Sequence, residues 1–337
     1  MKKYLQGAAI AALSIAIAAP ASALEWNVSV WGKRRAFTEH IEKLAELVEE
    51  KTNGDFTMNI SYEGLSKATE NLDGIQIGAF EMAQICAGYH EDKNPTLTVL
   101  ELPFLGVRNL KEEVAVSDAL YEHPAVKKDL ERWNAMLVMP SPMPQYNIVG
   151  TGDPRESVDA FKGMRVRATG GLGEAFKAVG AVPTSVPSNE AYNAMESHVV
   201  DTVAFAQHAH LSFRTIDQAT WWTENLNPGT VNCPVVVNID AYNALTPEQK
   251  EAFDSSVPEA IDYYIDNYNK TVLTKWDEIL KEKNVKKVDY TDEELAKFKD
   301  ATKGISDEWI KARSAEGIPA QELYDLVEKK LNELHNM

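Results

Sequence analysis

The chain has 337 residues, is 44% hydrophobic, and sets 34 basic against 51 acidic side chains for a net charge of −17. That is apolar material for a large core, and the length exceeds one ordinary domain, so two lobes are expected. So acidic a surface excludes nucleic acid and anionic lipid as partners, and any anionic ligand must be met by local positive charge.

The chain opens with Lys2 and Lys3, an apolar run from Ala8 to Ala19, and the small residues Ala21-Ser22-Ala23. This is the pattern of a cleaved secretory signal, with residues 1–23 removed; the run is too short for a comfortable membrane span. Loss of Lys2 and Lys3 takes the net charge to −19, and the protein is expected in the periplasm. The two cysteines, Cys86 and Cys233, either pair or stay as buried thiols; the sequence leaves both open.

Glu25 to Gly32 alternates and reads as a strand. Phe37, Ile41, Leu44, Leu47 and Val48 follow at helical spacing, stopped by Thr52-Asn53-Gly54. Phe56 to Tyr62 is a second strand, "ATENLDGIQIGAF" is helical, and "EMAQICAGY" is a short buried strand. Strand, helix, strand, helix, strand implies a parallel α/β sheet. A strand-rich stretch from Trp133 to Val149 is bent at Pro140, Pro142 and Pro144. A second βαβ lobe then follows: "GMRVRAT" as strand, a helix through Glu174 and Ala178, extended "AVPTSVP", a helix from Ser188, and the buried strand "VVDTVAFA". From Thr246-Pro247-Glu248 the chain is charged and helical, with one break near Val285–Thr291. The expected fold is therefore α/β with two lobes, a ligand cleft between them, and long C-terminal helices across both.

The chemistry-bearing candidates are few. Gly170-Gly171-Leu172-Gly173 is followed by Glu174-Ala175-Phe176, not by the Gly-Lys-Ser/Thr of a phosphate loop, so nucleotide is excluded. The glycines read as a strand-to-helix bend that leaves room for a ligand. Arg167, at a strand end just before a helix start, suits a carboxylate, because a planar guanidinium fork and helix N–H groups both favour an anion. Arg165 reads as a surface ion pair. His208 and His210 would share one side of a strand, but no acidic or cysteine cluster accompanies them, so no metal is expected. No Ser-His-Asp order, paired carboxylates or nucleophile elbow appears, so neither catalysis nor a cofactor is expected. Trp31 ends the first strand, beside Lys33, Arg34 and Arg35, where a cleft would lie.

Several stretches together resemble one known family, the substrate-binding proteins of tripartite ATP-independent periplasmic (TRAP) transporters, dicarboxylate-binding type. They are "FTEHIEKLAELVEEKTNGDFTMNISYEG", "LDGIQIGAFEMAQ", "LELPFL", "FKGMRVRATG", "VGAVPTSVPSNEAYNAMESHVVDT" and "VNCPVVVNIDAYNALTPEQKEAF", which cover nearly the whole chain after residue 23. The resemblance implies an organic acid bound between two lobes and passed to a permease of two membrane subunits, with Arg167 as the family's carboxylate-gripping arginine. The chain departs from the pattern at Thr169, where proline is usual, at Thr202, where glycine is usual, and at Phe205, where sialic-acid-binding members carry asparagine. Phe205 makes the wall less polar and favours a ligand with an apolar or aromatic part over sialic acid. Gln145 and Asn147 fall near a second arginine of some members, which fits a monoacid, unless Lys33 and Arg34 replace that charge. The remaining ligand contacts are expected from Trp31, Lys33, Tyr62, Glu70, Gln145, Asn147, Phe205, Trp221 and Trp222. The expected lobes are 24–145 with about 233–285, and 146–232 with about 286–337, in a monomer. A receptor of an ATP-driven importer, or a sensing co-receptor for an organic acid or sulfonate, is the alternative.

Overall fold

The structure, a computed structural model, describes residues 23–336. The signal expectation falls almost wholly on residues outside these. Among the described residues the strands are, in chain order, β1 (Leu24–Val30), β2 (Phe56–Tyr62), β3 (Met82–Gln84), β4 (Ala135–Met139), β5 (Asn147–Gly150), β6 (Arg165–Arg167), β7 (Val182–Thr184), β8 (Thr202–Phe205), β9 (Trp221–Thr223), β10 (Val235–Asn238) and β11 (Lys286–Val288). They form two sheets, ordered β2-β1-β3-β10-β4 and β11-β9-β5-β8-β6-β7. No described helix is long and apolar enough to cross a membrane.

In the first lobe β1 and β2 pair in parallel along their whole length, from Leu24 opposite Phe56 to Val30 opposite Tyr62. The helix Glu39–Lys51 connects them and buries Ile41, Leu44, Leu47 and Val48 on one face, the spacing that 3.6 residues per turn dictates. The helix Pro247–Thr271 covers the same sheet face through Phe253, Ile261, Tyr264 and Tyr268. Thr246 and Gln249 cap its start reciprocally, and Pro247 sits where no donor is needed.

Neither sheet is wholly parallel. β10 runs antiparallel between β3 and β4, and β5 runs antiparallel between β8 and β9. The chain crosses between lobes after β4 and returns after β9, so the crossing strands enter each sheet from the opposite side. Local sequence shows the strands but not the direction from which they arrive.

The expected lobe boundaries are corrected in two places. The helix Trp276–Glu282 joins the second lobe, burying Trp276 and Leu280 in the cluster that holds Trp222 and Val288. The last helix, Ala320–His335, returns to the first lobe and buries Leu323, Val327 and Leu331 with Leu97, Val116 and Leu120. An amphipathic helix announces that it needs an apolar partner, not which one. The core cluster of the second lobe also takes in Trp31, Phe37 and Cys86 of the first, so packing is continuous across the cleft. Cys86, just beyond β3, and Cys233, just before β10, are joined as a disulfide, which resolves the pairing that the sequence left open.

Candidate ligand-binding site

β6 is only three residues long, and its two arginines meet different surroundings. Arg165, at the exposed end, pairs with Asp201 and donates to the His198 carbonyl. Arg167, at the other end, is 2% exposed. Its Nε donates to the Val186 carbonyl at 3.0 Å, and its Nη2 donates to the Tyr89 hydroxyl at 3.1 Å. The guanidinium carbon lies 4.5 Å from the centre of the Phe205 ring. No carboxylate pairs with Arg167 among the described residues. Tyr89 also accepts from the Ser188 backbone N–H at 3.0 Å. Two accepted bonds leave that hydroxyl its own proton to donate. A cation and an adjacent O–H donor thus face one space.

That space is a tight cavity between the lobes, about 30 Å³ in volume. Trp31, Phe37, Tyr146, Phe205 and Phe213 supply apolar walls, and the Cys86–Cys233 disulfide forms part of the lining. Three further polar side chains reach it. Arg35 is 7% exposed, and burial holds its guanidinium down to about 10. His208 stacks on Phe37, with ring centres 5.2 Å apart, and its Nδ1 shares a hydrogen bond of 2.7 Å with the Tyr268 hydroxyl. Burial, and then the Arg35 charge, push this imidazole well below its ordinary value, so it is neutral. Glu101 accepts from the backbone N–H groups of Gly88 and Asn232 at 3.1 and 3.0 Å through one oxygen, while the other is buried with no partner. Burial pushes its carboxyl up to about 8.

The Arg167 guanidinium is thus buried between two α/β lobes with no carboxylate partner among the described residues. The profile of the bacterial extracellular solute-binding proteins, family 7 (DctP), matches residues 28–312. The chain belongs to this family. DctP-type proteins are solute-binding receptors, not enzymes. The ectoine/5-hydroxyectoine-binding periplasmic protein UehA of Ruegeria pomeroyi is 23% identical over 328 residues, 92% of either chain. A solute-binding protein of Sulfitobacter sp. is 28% identical over 202 residues, 59% of this chain and 61% of that one. Among solved structures, a marine metagenome TRAP solute binding protein specific for aromatic acid ligands, in complex with metahydroxyphenylacetate, superposes with a TM-score of 0.82 at 19% identity. It covers 92% of this chain and 99% of its own. The Bordetella pertussis receptor DctP7, binding pyroglutamic acid, superposes with a TM-score of 0.79 at 19% identity, over 90% of this chain and 100% of its own.

Within this DctP-type frame the expected site residues separate. Arg167, Phe205 and Trp31 line the cavity. Lys33 and Glu70 are exposed and border open depressions beside it; Glu70 lies 3.6 Å from Lys67. Tyr62 turns away, donating to Glu42 at 2.6 Å. Gln145 donates to the Val107 carbonyl at 3.0 Å. Asn147 is a strut: its side-chain oxygen accepts from Thr223 and from the Leu226 N–H, and its amide donates to Asn227. Trp221 and Trp222 are core, the first over Gly150 and the second against Trp276. Lys33, Tyr62, Glu70, Gln145, Asn147, Trp221 and Trp222 therefore do not line the cavity: Lys33 and Glu70 stay at the exposed rim, Tyr62 and Gln145 bond to other partners, and Asn147, Trp221 and Trp222 are buried within the second lobe, where burial can mean packing beneath the sheet as readily as facing the cleft.

Three other readings change. The residues around His208 form a helix, Gln207–Ser212, not a strand. His208 therefore faces the cavity while His210 bonds Thr215 at 2.8 Å. The space beside Gly170 and Gly171 is filled by Glu101, not left for a ligand: a Cβ on either glycine would collide with that residue. The basic side chain of the first loop that reaches inward is Arg35, not Lys33 or Arg34; Arg34 is exposed and pairs with Glu42. Tyr89, Glu101 and His208 gave no sequence signal as cavity residues, since each depends on which way one side chain points.

Proposed function

We propose that this protein is the extracytoplasmic receptor of a TRAP transporter, that it holds a small organic acid by its carboxylate at Arg167, and that it delivers the acid to the membrane permease from the periplasm. The observation that carries the reading is the Arg167 guanidinium: buried, without a carboxylate, and flanked by the Tyr89 hydroxyl as a second donor. Burying an unpaired charge is costly, so a ligand that supplies the opposite charge is bound strongly there. The cavity is too tight for an organic acid to diffuse into. The ligand therefore enters as the lobes part, and closure excludes water and strengthens the ion pair. The chain acts as a monomer and changes no bond of its cargo.

The acids named for the similar proteins, among them aromatic acids and pyroglutamic acid, support the same ligand class here. Thermal-shift screening of mono-, di-, hydroxy- and oxo-acids tests it, because a ligand that binds only the folded protein raises its melting temperature by mass action. We expect at least one acid to raise it and to be recovered chemically unchanged by mass spectrometry. No shift across the panel, or a converted acid, overturns the reading.

A further inference from the structure

We propose that the Cys86–Cys233 disulfide is a positioning element of the ligand site, holding the turn that sets the Tyr89 hydroxyl against Arg167. Its consequence for affinity rests on the receptor reading above; the positioning itself does not.

Cys86 and Cys233 face each other where β3 and β10 run out. The antiparallel register that sets Gln84 opposite Val235 carries on to set Cys86 opposite Cys233. Here the main-chain ladder is only half made. The Ile85 N–H donates to the Pro234 carbonyl at 2.9 Å, and the Ala87 N–H to the Asn232 carbonyl at 2.8 Å. An antiparallel pair normally exchanges both such bonds. Neither is returned here, because proline has no N–H and the Asn232 N–H goes to Glu101 instead, at 3.0 Å. The disulfide thus joins the two strands where their hydrogen bonds thin out.

The chain turns immediately after Cys86. The Cys86 carbonyl accepts from the Tyr89 N–H at 3.0 Å, which closes the 3-10 turn Ala87–Tyr89. From this turn the Tyr89 side chain crosses the cleft. Its hydroxyl accepts from Arg167 Nη2 and from the Ser188 N–H, both in the second lobe. One residue therefore links a strand end of the first lobe to the guanidinium of the second. Without the disulfide the turn keeps the Gly88 bond to Glu101, and beyond it the bond that His90 Nε2 donates to the Ala68 carbonyl at 3.1 Å. It loses the covalent tie at the residue whose carbonyl holds Tyr89.

A hydroxyl that serves two donors at once tolerates little shift of its turn, since hydrogen bonds weaken steeply with distance and angle. The disulfide also forms part of the cavity lining, so it braces the site from within rather than from a distance. Ser188 reports the seat of Tyr89 without any ligand. It opens the 3-10 turn Ser188–Glu190, where an N–H has no partner inside the turn, and its acceptor is the Tyr89 hydroxyl.

The experiment is amide hydrogen exchange on the ligand-free mature protein, wild type against the Cys86→Ser/Cys233→Ser pair. We expect the Ser188 N–H to exchange about tenfold faster in the pair. The Asp201 N–H, held by the Arg165 carbonyl in the same lobe, should keep its rate. In Tyr89→Phe the Ser188 N–H should already be fast, and the serine pair should add nothing. Unchanged Ser188 exchange overturns the proposal. Equal acceleration of Ser188 and Asp201 also overturns it, because a general brace loosens both. If the serine pair does not fold, the wild-type bond is opened with dithiothreitol. Its two thiols close into a ring disulfide, and Cys86 and Cys233 take up the two electrons and two protons. Calorimetry with benzoate, lactate, pyruvate and succinate then reads the consequence. Any of these that binds should bind roughly fivefold more weakly to the serine pair, the scale of one hydrogen bond, with no further loss when Tyr89→Phe is added. Losses that multiply in the combined variant overturn the action through Tyr89. Failure of every acid sinks the receptor reading, while the exchange rates still decide the positioning.

Discussion

Arg167 is presented to the cavity by its neighbours as much as by its own strand. The Val186 carbonyl fixes Nε, Tyr89 fixes Nη2, and the Phe205 face supports the plane of the guanidinium. On the proposed reading, removing the arginine strands a ligand carboxylate in a dry site, so Arg167→Ala is expected to weaken binding of the best acid by about 2–5 kcal/mol. Tyr89→Phe removes one donor to the ligand and one acceptor for the arginine, and about 1 kcal/mol is expected for it. Calorimetry on both variants checks the order; a loss in Tyr89→Phe as large as in Arg167→Ala would make tyrosine the principal anchor. Arg167 was legible because an arginine at a strand end just before a helix start suits a carboxylate, and because it falls at the position of the family's arginine. Tyr89 was not, because its partners lie 78 and 99 residues away.

At the scale of the element, the helix Gly170–Ala178 brings its first turn close against backbone of the other lobe. Gly170 has φ +54, and a Cβ on Gly171 would meet the Glu101 backbone carbonyl. The glycines let the start of this second-lobe helix seat on the Pro95–Glu101 segment of the first. Gly171→Ala is therefore expected to destabilise the protein by about 1–3 kcal/mol, through overpacking against backbone that has no rotamer to yield. Denaturant unfolding measures it, and a midpoint within error of wild type would mean that the two segments are not held together. The sequence correctly ruled out a phosphate loop here, from Glu174-Ala175-Phe176. It could not show what fills the bend, since Glu101 is 69 or more residues distant in the chain.

At the scale of the whole molecule, burial sets how stability responds to pH. Burial pushes the Glu101 carboxyl up to about 8 in the folded chain, from the ordinary 4.5. Above 4.5 the unfolded chain releases this proton while the folded chain keeps it, so folding is progressively disfavoured as pH rises to about 8, and levels off beyond. Glutamine does not titrate, so the melting temperature of Glu101→Gln relative to wild type is expected to climb between pH 5 and 8. A constant difference over that range would place the carboxyl at an ordinary value. The buried imidazoles act the other way. His40 and His210 are held down to about 3 and His90 to about 4, by burial first, and His208 lies well below its ordinary value. Below about 6.5 the unfolded chain takes up protons that the folded one refuses, so each of these groups withdraws stability as pH falls.

The amino-acid order alone determined the two α/β lobes, the family and one arginine of the cavity. Periodicity, caps and a glycine bend act between near neighbours, and such local rules survive without tertiary context. Tertiary structure decided the rest: the strands that enter each sheet antiparallel, the return of the last helix to the first lobe, and the Cys86–Cys233 bond. It also decided that Arg35 points into the cleft while Lys33 and Arg34 face water, and that Tyr62, Asn147, Trp221 and Trp222 serve packing. Those outcomes depend on which surfaces meet after the chain has crossed between lobes, and on one rotamer at each position. Neither is written into the spacing of residues along the chain.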